Sequence, residues 1–124
     1  MGLQNLLWIF IGGGLGSVFR YLVSKSLNPL FNTLFVGTLT VNIIGSFIMG
    51  LLLALESKTI IQNPLYLYLT VGFCGGFTTF SAFASENLRL IKTGEYTQAL
   101  IYSLISVIAG IISAGIGFYL TKQI

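Results

Sequence analysis

The sequence predicts an all-α membrane protein with four transmembrane helices in each subunit. Charged residues make up 7% of its 124 residues and hydrophobic residues 55%, whereas about a quarter of an ordinary soluble domain is charged. The mean hydropathy is +0.92. A helix needs about 20 residues to cross a hydrocarbon core about 30 Å thick. Four spans therefore nearly exhaust the chain, which we treat as a single transmembrane domain over residues 1–124.

The first predicted span covers about residues 3–24 and is rich in glycine. Gly12 and Gly16 form a small-xxx-small pair, which lets another helix approach closely. These glycines do not complete a dinucleotide-binding motif, because Ser17 stands where the last glycine of GxGxxG belongs. Arg20 lies in the last turns of the span. An arginine there either reaches the lipid headgroups or guards the mouth of an anion path.

A connection over residues 25–32, containing Pro29, leads to a second predicted span at about residues 33–55. Thr38 and Asn42 are four residues apart and so share one helical face. Asn42 falls near the bilayer midplane, where an unpaired amide is costly, so it must meet a partner helix or a hydrated cavity. Interhelical hydrogen bonding and pore lining are both open to it.

The third predicted span, at about residues 65–90, contains the stretch GFCGGFTTFSAFASE from Gly72 to Glu86. Its glycine-threonine run, residues 75–79, predicts a break in the helix. In lipid a break is tolerated only where the backbone is buried in protein or lines a polar cavity. Glu86, near the far end, is either a solvated helix end or part of an ion route.

Phenylalanines follow this predicted break at a helical spacing. Phe77, Phe80 and Phe83 recur every three residues, which would place three rings on one face, with the Ser81 hydroxyl nearby. Rings at such spacing more often serve packing. Their pairing with a broken helix, however, indicates an ion site.

The fourth predicted span covers about residues 96–120 and offers a second face with hydroxyl groups. Tyr102 and Ser106 are four residues apart on that face. Further along, small residues such as Gly110 and Ala114 predict close contact with another helix.

Composition also excludes several classes of function. The chain has no histidine and a single cysteine, Cys74, which excludes a Cys/His metal cluster and any disulfide within the chain. No nucleophile, base or metal set indicates an enzyme. The net charge of +3 comes from residues near helix ends, which is typical of a membrane interface and does not indicate a nucleic-acid partner. Membrane lipid is the expected surrounding.

The basic residues give only a weak bias for one orientation in the membrane. With four spans, the termini and the second loop lie on one side and the other two loops on the opposite side. The first side carries Lys58 and Lys122, and the second carries Arg20, Lys25, Arg89 and Lys92. Because a weak bias allows insertion both ways round, we predict an antiparallel, dual-topology homodimer. A protein with a single orientation is the alternative.

Three stretches together resemble the Fluc (CrcB) fluoride ion channel family. They are GGGLGSVFRY in the first span, GTLTVNIIGSF at Gly37–Phe47, and GFCGGFTTFSAF at Gly72–Phe83 followed by Glu86. The combination covers three spans in order. The resemblance implies a dual-topology dimer of four-helix subunits with two fluoride pores and a central structural sodium ion at the dimer interface.

The resemblance also implies roles for individual residues. Backbone carbonyls of Gly75 and Thr78 would hold the sodium ion, Asn42 would be the pore asparagine, and Phe80 and Phe83 the pore phenylalanines. The vestibule arginine, the polar pore positions and the acidic residue beyond the rings match Arg20, Thr38, Ser81, Tyr102, Ser106 and Glu86. Two positions depart from the pattern, since Ala82 and Gly110 stand where the family often has hydroxyl residues.

The physical chemistry of fluoride agrees with these assignments. Fluoride is small and tightly hydrated, so its path must replace water with good donors, such as the Asn42 amide, hydroxyls and the electropositive edges of rings. Helix N-termini at the break add positive potential, and freed carbonyls suit a hard cation. We therefore expect passive, fluoride-selective efflux across the plasma membrane, which lowers cytoplasmic fluoride toxicity.

Two other interpretations compete with the channel. A small multidrug-resistance-type transporter is also short and able to insert both ways, but it needs an acidic residue in its first span, where Arg20 is the only charge. A structural or accessory subunit would use the glycines only to pack helices. That interpretation leaves Asn42, Phe80 and Phe83 unexplained.

Overall fold

The computed structural model describes residues 2–58, 60 and 64–124, and all regular secondary structure in them is helical. Four helical stretches are long and apolar enough to cross a membrane: α1 (Leu3–Phe31), α2 (Val36–Ser57), a third span (Leu65–Lys92) and α6 (Tyr96–Lys122). The prediction of an all-α, multi-pass membrane protein is therefore confirmed. The helices α2 and α6 pack against each other, and α1 packs mainly against the first half of the third span.

Helix α1 extends beyond its predicted end at Ser24 and passes through Pro29 to Phe31. Pro29 lies in the last turn, where the hydrogen bond that a proline cannot donate is the only one lost. Asn32 caps the end of the helix with a left-handed backbone (φ 51°), which an asparagine tolerates better than most residues. The first connection is thus shorter than predicted.

The third span consists of four segments rather than one continuous α-helix. They are α3 (Leu65–Leu67), a π-helical segment (Tyr68–Cys74), α4 (Gly75–Phe77) and α5 (Phe80–Lys92). Between α4 and α5, Thr78 (ψ 157°) and Thr79 (φ −153°, ψ 119°) have extended backbones.

Glycines let α1 lie directly on the backbone of the third span. A Cβ atom on Gly12 would collide with the carbonyl oxygen of Tyr68, and one on Gly16 with that of Phe73. The close helix contact that this pair predicts is confirmed. Side chains any larger than hydrogen would force the two helices apart.

The contact between α2 and α6 is equally close. A Cβ atom on Gly50 would collide with the carbonyl oxygen of Ala114, and one on Gly117 with that of Phe47. Lys58, which follows α2, donates through Nζ to the carbonyls of Thr121 and Lys122 at 3.0 Å each. The second connection and the C-terminus therefore lie at the same end of the bundle, as four antiparallel spans require.

A candidate ion site at the interruption of the third span

The extended residues between α4 and α5 are held by an asparagine from α2. The backbone N–H of Thr79 donates to Asn42 Oδ1 at 2.8 Å, and Asn42 Nδ2 donates to the Thr79 carbonyl at 3.2 Å. A side-chain amide thus replaces the backbone partners that a continuous helix would have supplied. One N–H of the Asn42 amide takes no part in this pair, since the amide nitrogen carries two hydrogens.

Thr79 also begins the helix that follows it. Its hydroxyl accepts a hydrogen bond from the Ala82 N–H at 3.2 Å, which is the geometry of a helix N-cap. The exposed Ser81 hydroxyl lies 3.3 Å from the Thr79 hydroxyl. Sequence reasoning placed Thr79 in the break but gave it no role at the site. A threonine directly before the first apolar residue of a helical segment is a recognisable capping signal.

Two carbonyls near the interruption lose the donors that an α-helix provides four residues on. The Thr79 N–H turns to Asn42 rather than to the Gly75 carbonyl, and the Ala82 N–H turns to the Thr79 hydroxyl rather than to the Thr78 carbonyl. Gly75 and Thr78 line the same groove of about 330 Å³, which also contacts Asn42 and Phe80. Carbonyl oxygens freed in this way are suitable ligands for a hard cation.

Glu86 of α5 is the centre of a second polar cluster. Each of its two carboxylate oxygens accepts a hydrogen bond from one hydroxyl group: Thr38 of α2 donates at 2.6 Å and Tyr102 of α6 at 2.7 Å. We expected these hydroxyls to be free to face an anion, but both are turned to the carboxylate. The cluster ties α2, α5 and α6 together.

Arg20 lies on α1 beside these two clusters. It lines a groove of about 350 Å³ together with Thr38, Thr79 and Glu86. Both alternatives for this arginine, contact with the lipid headgroups and the mouth of an anion path, stay predictions.

The three phenylalanines do not form one row, and that expectation is wrong. Phe77 is buried and stacks on Phe73, with centroids 5.6 Å apart and planes 14° from parallel. Phe80 is 79% exposed and lies 5.5 Å from Phe83, which in turn lies 5.2 Å from the Tyr102 ring. The extended residues between Phe77 and Phe80 interrupt the helical repeat, so the spacing in sequence no longer corresponds to one face.

Ser106 stands apart from the hydrogen-bonded clusters. Its hydroxyl is buried and has no hydrogen-bond partner among the described residues. The neighbouring departure from the expected pattern is at Gly110, where a Cβ atom would lie 3.6 Å from Ser46 Oγ. That is an ordinary contact, so the glycine is not required there for packing.

Sequence reasoning missed a hydrogen-bonded pair of side chains that joins α5 and α6. The Ser103 hydroxyl donates to Asn87 Oδ1 at 3.0 Å, and Asn87 Nδ2 donates to the Phe83 carbonyl at 3.0 Å. Asn87 and Ser103 lie next to Glu86 and Tyr102 in sequence, so a second contact between the same two helix faces was the available signal.

The fold and the site together define a small multi-pass membrane protein with polar side chains joined across the interior of its spans. The chain matches the CrcB-like protein family, described as Camphor Resistance (CrcB), over residues 7–118. It belongs to that family, which confirms the resemblance drawn from the three sequence stretches and extends it to the fourth span.

Similar proteins cover nearly the whole chain. The fluoride-specific ion channel FluC of Gloeothece citriformis is 44% identical over 96% of this chain and 98% of its own length. The protein of the same name from Phocaeicola vulgatus is 43% identical over 97% of this chain and all of its own length. That of Bacteroides fragilis is 42% identical, with 98% of each chain covered. These names describe ion channels and not enzymes.

Proposed function

We propose that this protein is a fluoride-selective ion channel that allows passive fluoride efflux and so lowers cytoplasmic fluoride toxicity. The observation that carries the proposal is the interruption of the third span, where Asn42 is bound to Thr79 and the phenylalanines Phe80 and Phe83 follow. Support also comes from relatives over 40% identical that are named fluoride-specific ion channels. Hydrogen fluoride enters cells neutral and ionises inside, so a leak driven by a negative-inside potential across the plasma membrane would expel fluoride.

Along the proposed route, hydrogen-bond donors and ring edges replace the hydration shell of fluoride. The second N–H of Asn42, the unpartnered Ser106 hydroxyl and the ring edges of Phe80 and Phe83 can all point to an anion. Arg20 would raise the local concentration of anions at the mouth. The amide, hydroxyl and ring groups inside the span are neutral. A larger halide therefore gains too little interaction energy from them to offset the cost of losing its water in a narrow path.

Glu86 would border this route rather than bind the anion. Its charge repels fluoride, but its oxygens hold Thr38 and Tyr102 in fixed positions beside the Arg20 groove. The Ser81 hydroxyl, next to Thr79, would extend the polar lining on the side of the interruption. These four residues are thus proposed to shape the path, with the hydroxyls near the anion.

The functional unit we propose is an antiparallel, dual-topology homodimer with two pores. A single chain leaves Phe80 79% exposed beside an open groove of about 330 Å³, so a second subunit would be needed to close the path. A structural sodium ion would lie where the two broken third spans meet. The carbonyls of Gly75 and Thr78 fit such an ion because both lack their usual helical donors. When bound, the cation would offset the repulsion between carbonyls.

The proposal is tested by reconstituting the purified protein in liposomes and measuring efflux with a fluoride-selective electrode. We expect fluoride efflux to exceed chloride efflux by far, and equal rates would reject the proposed selectivity. Replacing sodium with a large organic cation during purification should weaken the dimer in size-exclusion chromatography. Tags that report a single orientation in cells would reject the dual topology.

Two substitutions test the site itself. Asn42→Asp places a carboxylate against the Thr79 carbonyl, and Phe80→Ile removes ring edges, so both should suppress fluoride flux. Thr40→Val is a matched control on α2, because the Thr40 hydroxyl bonds only to its own helix, at the Val36 carbonyl. Wild-type flux in both site variants would remove Asn42 and Phe80 from the route.

A further inference from the structure

Glu86 borders two separate grooves at the end of the bundle that carries the first and third connections. One is the Arg20 groove described above. The other, which we call the Arg89 groove, has a volume of about 230 Å³ and lies between residues 32–35 and the end of α5. Glu86 is the single residue among those described that lines both grooves. The polar cluster can therefore be approached from two directions.

Each groove contains one arginine, and neither arginine donates a hydrogen bond to the Glu86 carboxylate. The Glu86 oxygens bond to Thr38 and Tyr102 instead. Arg89 follows Glu86 by three residues on α5, so both lie on the same helical face. The Arg89 side chain is exposed. A guanidinium that makes no hydrogen bond to Glu86 gives the groove a positive potential that opposes the field of the carboxylate.

The walls of the Arg89 groove are held in place by local hydrogen bonds. Asn28 Oδ1 accepts from the Gly37 N–H at 2.7 Å, and Asn28 Nδ2 donates to the Leu34 carbonyl at 3.3 Å. On the opposite wall the Thr93 hydroxyl donates to the carbonyl of Arg89 at 3.1 Å. The Thr33 hydroxyl, on the first wall, is buried and lacks a partner among the described residues. A preformed groove with an arginine and an unused hydroxyl suits a small anion.

We propose that the Arg89 groove is a second mouth of the ion route, in which Arg89 attracts fluoride towards the Glu86 cluster. The inference rests on the proposed channel function. The phosphate of an anionic lipid would meet the same arginine, since the shared chemistry is that of an anion. A mobile ion is favoured, because a phosphate fixed in the groove would be held facing Glu86, whereas fluoride can continue into the path beyond.

The matched control for Arg89 is Lys92, which lies one turn further along α5. Lys92 is exposed, belongs to the same last turn and lines neither groove, so Lys92→Gln removes the same charge from the same end of the protein. Initial fluoride efflux is measured over a range of fluoride concentrations in neutral phosphatidylcholine vesicles. In Arg89→Gln the half-saturating concentration should rise about threefold to tenfold at low salt. In Lys92→Gln and Arg89→Lys the half-saturating concentration should stay near that of the unmodified protein.

Salt and chemical rescue identify the effect as electrostatic. The difference between Arg89→Gln and the unmodified protein should disappear near 1 M salt, where the screening length is about 3 Å. In Arg89→Cys, a cationic thiol reagent should restore the unmodified half-saturating concentration and a neutral reagent of similar size should not. The native Cys74 is buried and does not compete for the reagent. Rescue within one folded preparation separates loss of charge from misfolding.

The outcomes distinguish this inference from the proposed function. Equal behaviour of Arg89→Gln and Lys92→Gln at every salt concentration would overturn the second mouth and leave the channel intact. An effect of Arg89→Gln confined to vesicles with anionic phosphatidylglycerol would assign the arginine to a lipid phosphate instead. If the unmodified protein carried no fluoride, the proposed function would fail and this inference with it.

Discussion

Helix α2 makes two kinds of contact along its length. In its C-terminal half, Gly50 lies against the Ala114 carbonyl and the Phe47 carbonyl lies against Gly117, so backbones touch. In its N-terminal half, Thr38 and Asn42 reach side chains and backbone of the third span through hydrogen bonds. We call these the packed contact and the polar contact.

The difference shows two ways in which helices are held together within a membrane. Lipid supplies no hydrophobic force that pushes helices together, so the packed contact depends on dispersion between closely fitting surfaces. The polar contact depends on every buried donor and acceptor finding a partner. A packed contact should therefore tolerate the loss of a hydrogen bond but no added atom, whereas a polar contact should not tolerate the loss of a hydrogen bond.

The largest effect should come from Asn42→Leu in the polar contact. The substitution keeps the volume similar but leaves the Thr79 N–H and carbonyl without partners, at about 1–3 kcal/mol each, or about 2–6 kcal/mol in total. Denaturant titration in detergent micelles measures the change in the free energy of unfolding. With Thr40→Val as the control, equal stability of the two variants would show that Asn42 does not support the interruption.

Next in size should be Gly50→Ala in the packed contact. The added methyl group collides with the Ala114 carbonyl, which cannot move without shifting α6, so we expect a loss of about 3 kcal/mol. Gly115→Ala is the control on α6, because a Cβ atom there meets nothing within 4 Å. The same denaturant titration compares the pair. If both variants unfold alike, the close approach of α2 and α6 does not limit stability.

A smaller effect is expected for Tyr102→Phe, which removes one of the two hydroxyls bound to Glu86. The carboxylate keeps Thr38 as a partner, so the loss should be about 1–2 kcal/mol. The double variant with Glu86→Gln tests the cause, because without the charge the tyrosine hydroxyl has less to stabilise. If the changes in the free energy of unfolding for the two substitutions are strictly additive, the two side chains do not interact.

The smallest effect should come from Ser113→Ala, which removes a side-chain hydrogen bond between α6 and α2. The Ser113 hydroxyl donates to the Ile43 carbonyl at 2.9 Å, a carbonyl that also has its helical partner. A loss of about 0.5 kcal/mol in the unfolding titration is expected, close to the average for hydrogen bonds between membrane helices. A loss as large as that of Gly50→Ala would remove the distinction between the two contacts.

Periodicity anticipated some of these contacts better than others. The small-residue pair Gly12 and Gly16 correctly indicated a close helix contact, because a missing side chain has the same meaning wherever the helix packs. The row of Phe77, Phe80 and Phe83 was misjudged, since helical spacing holds only within a continuous helix. Pro29 was also a poor guide to the end of α1, because the asparagine three residues on supplies a better stop.

The candidate site was only partly visible in the sequence. The sequence indicates Thr38, Glu86 and Tyr102 as polar residues, but the hydrogen bonds that join them span up to 48 residues and cannot be inferred from spacing. Likewise, the depth of Asn42 in the membrane required some partner without identifying Thr79.

The sequence by itself determined the class, the number of spans and the types of polar group available, because lipid requires long apolar helices and makes each buried polar residue conspicuous. Only the tertiary structure decided which groups pair. Asn42 is bound to the backbone at the interruption, and the expected anion donors Thr38 and Tyr102 are turned to Glu86. A hydrogen bond between two helices is made or lost when their separation changes by a few tenths of an ångström. That separation is set by the glycine contacts, which determine how closely the helices approach.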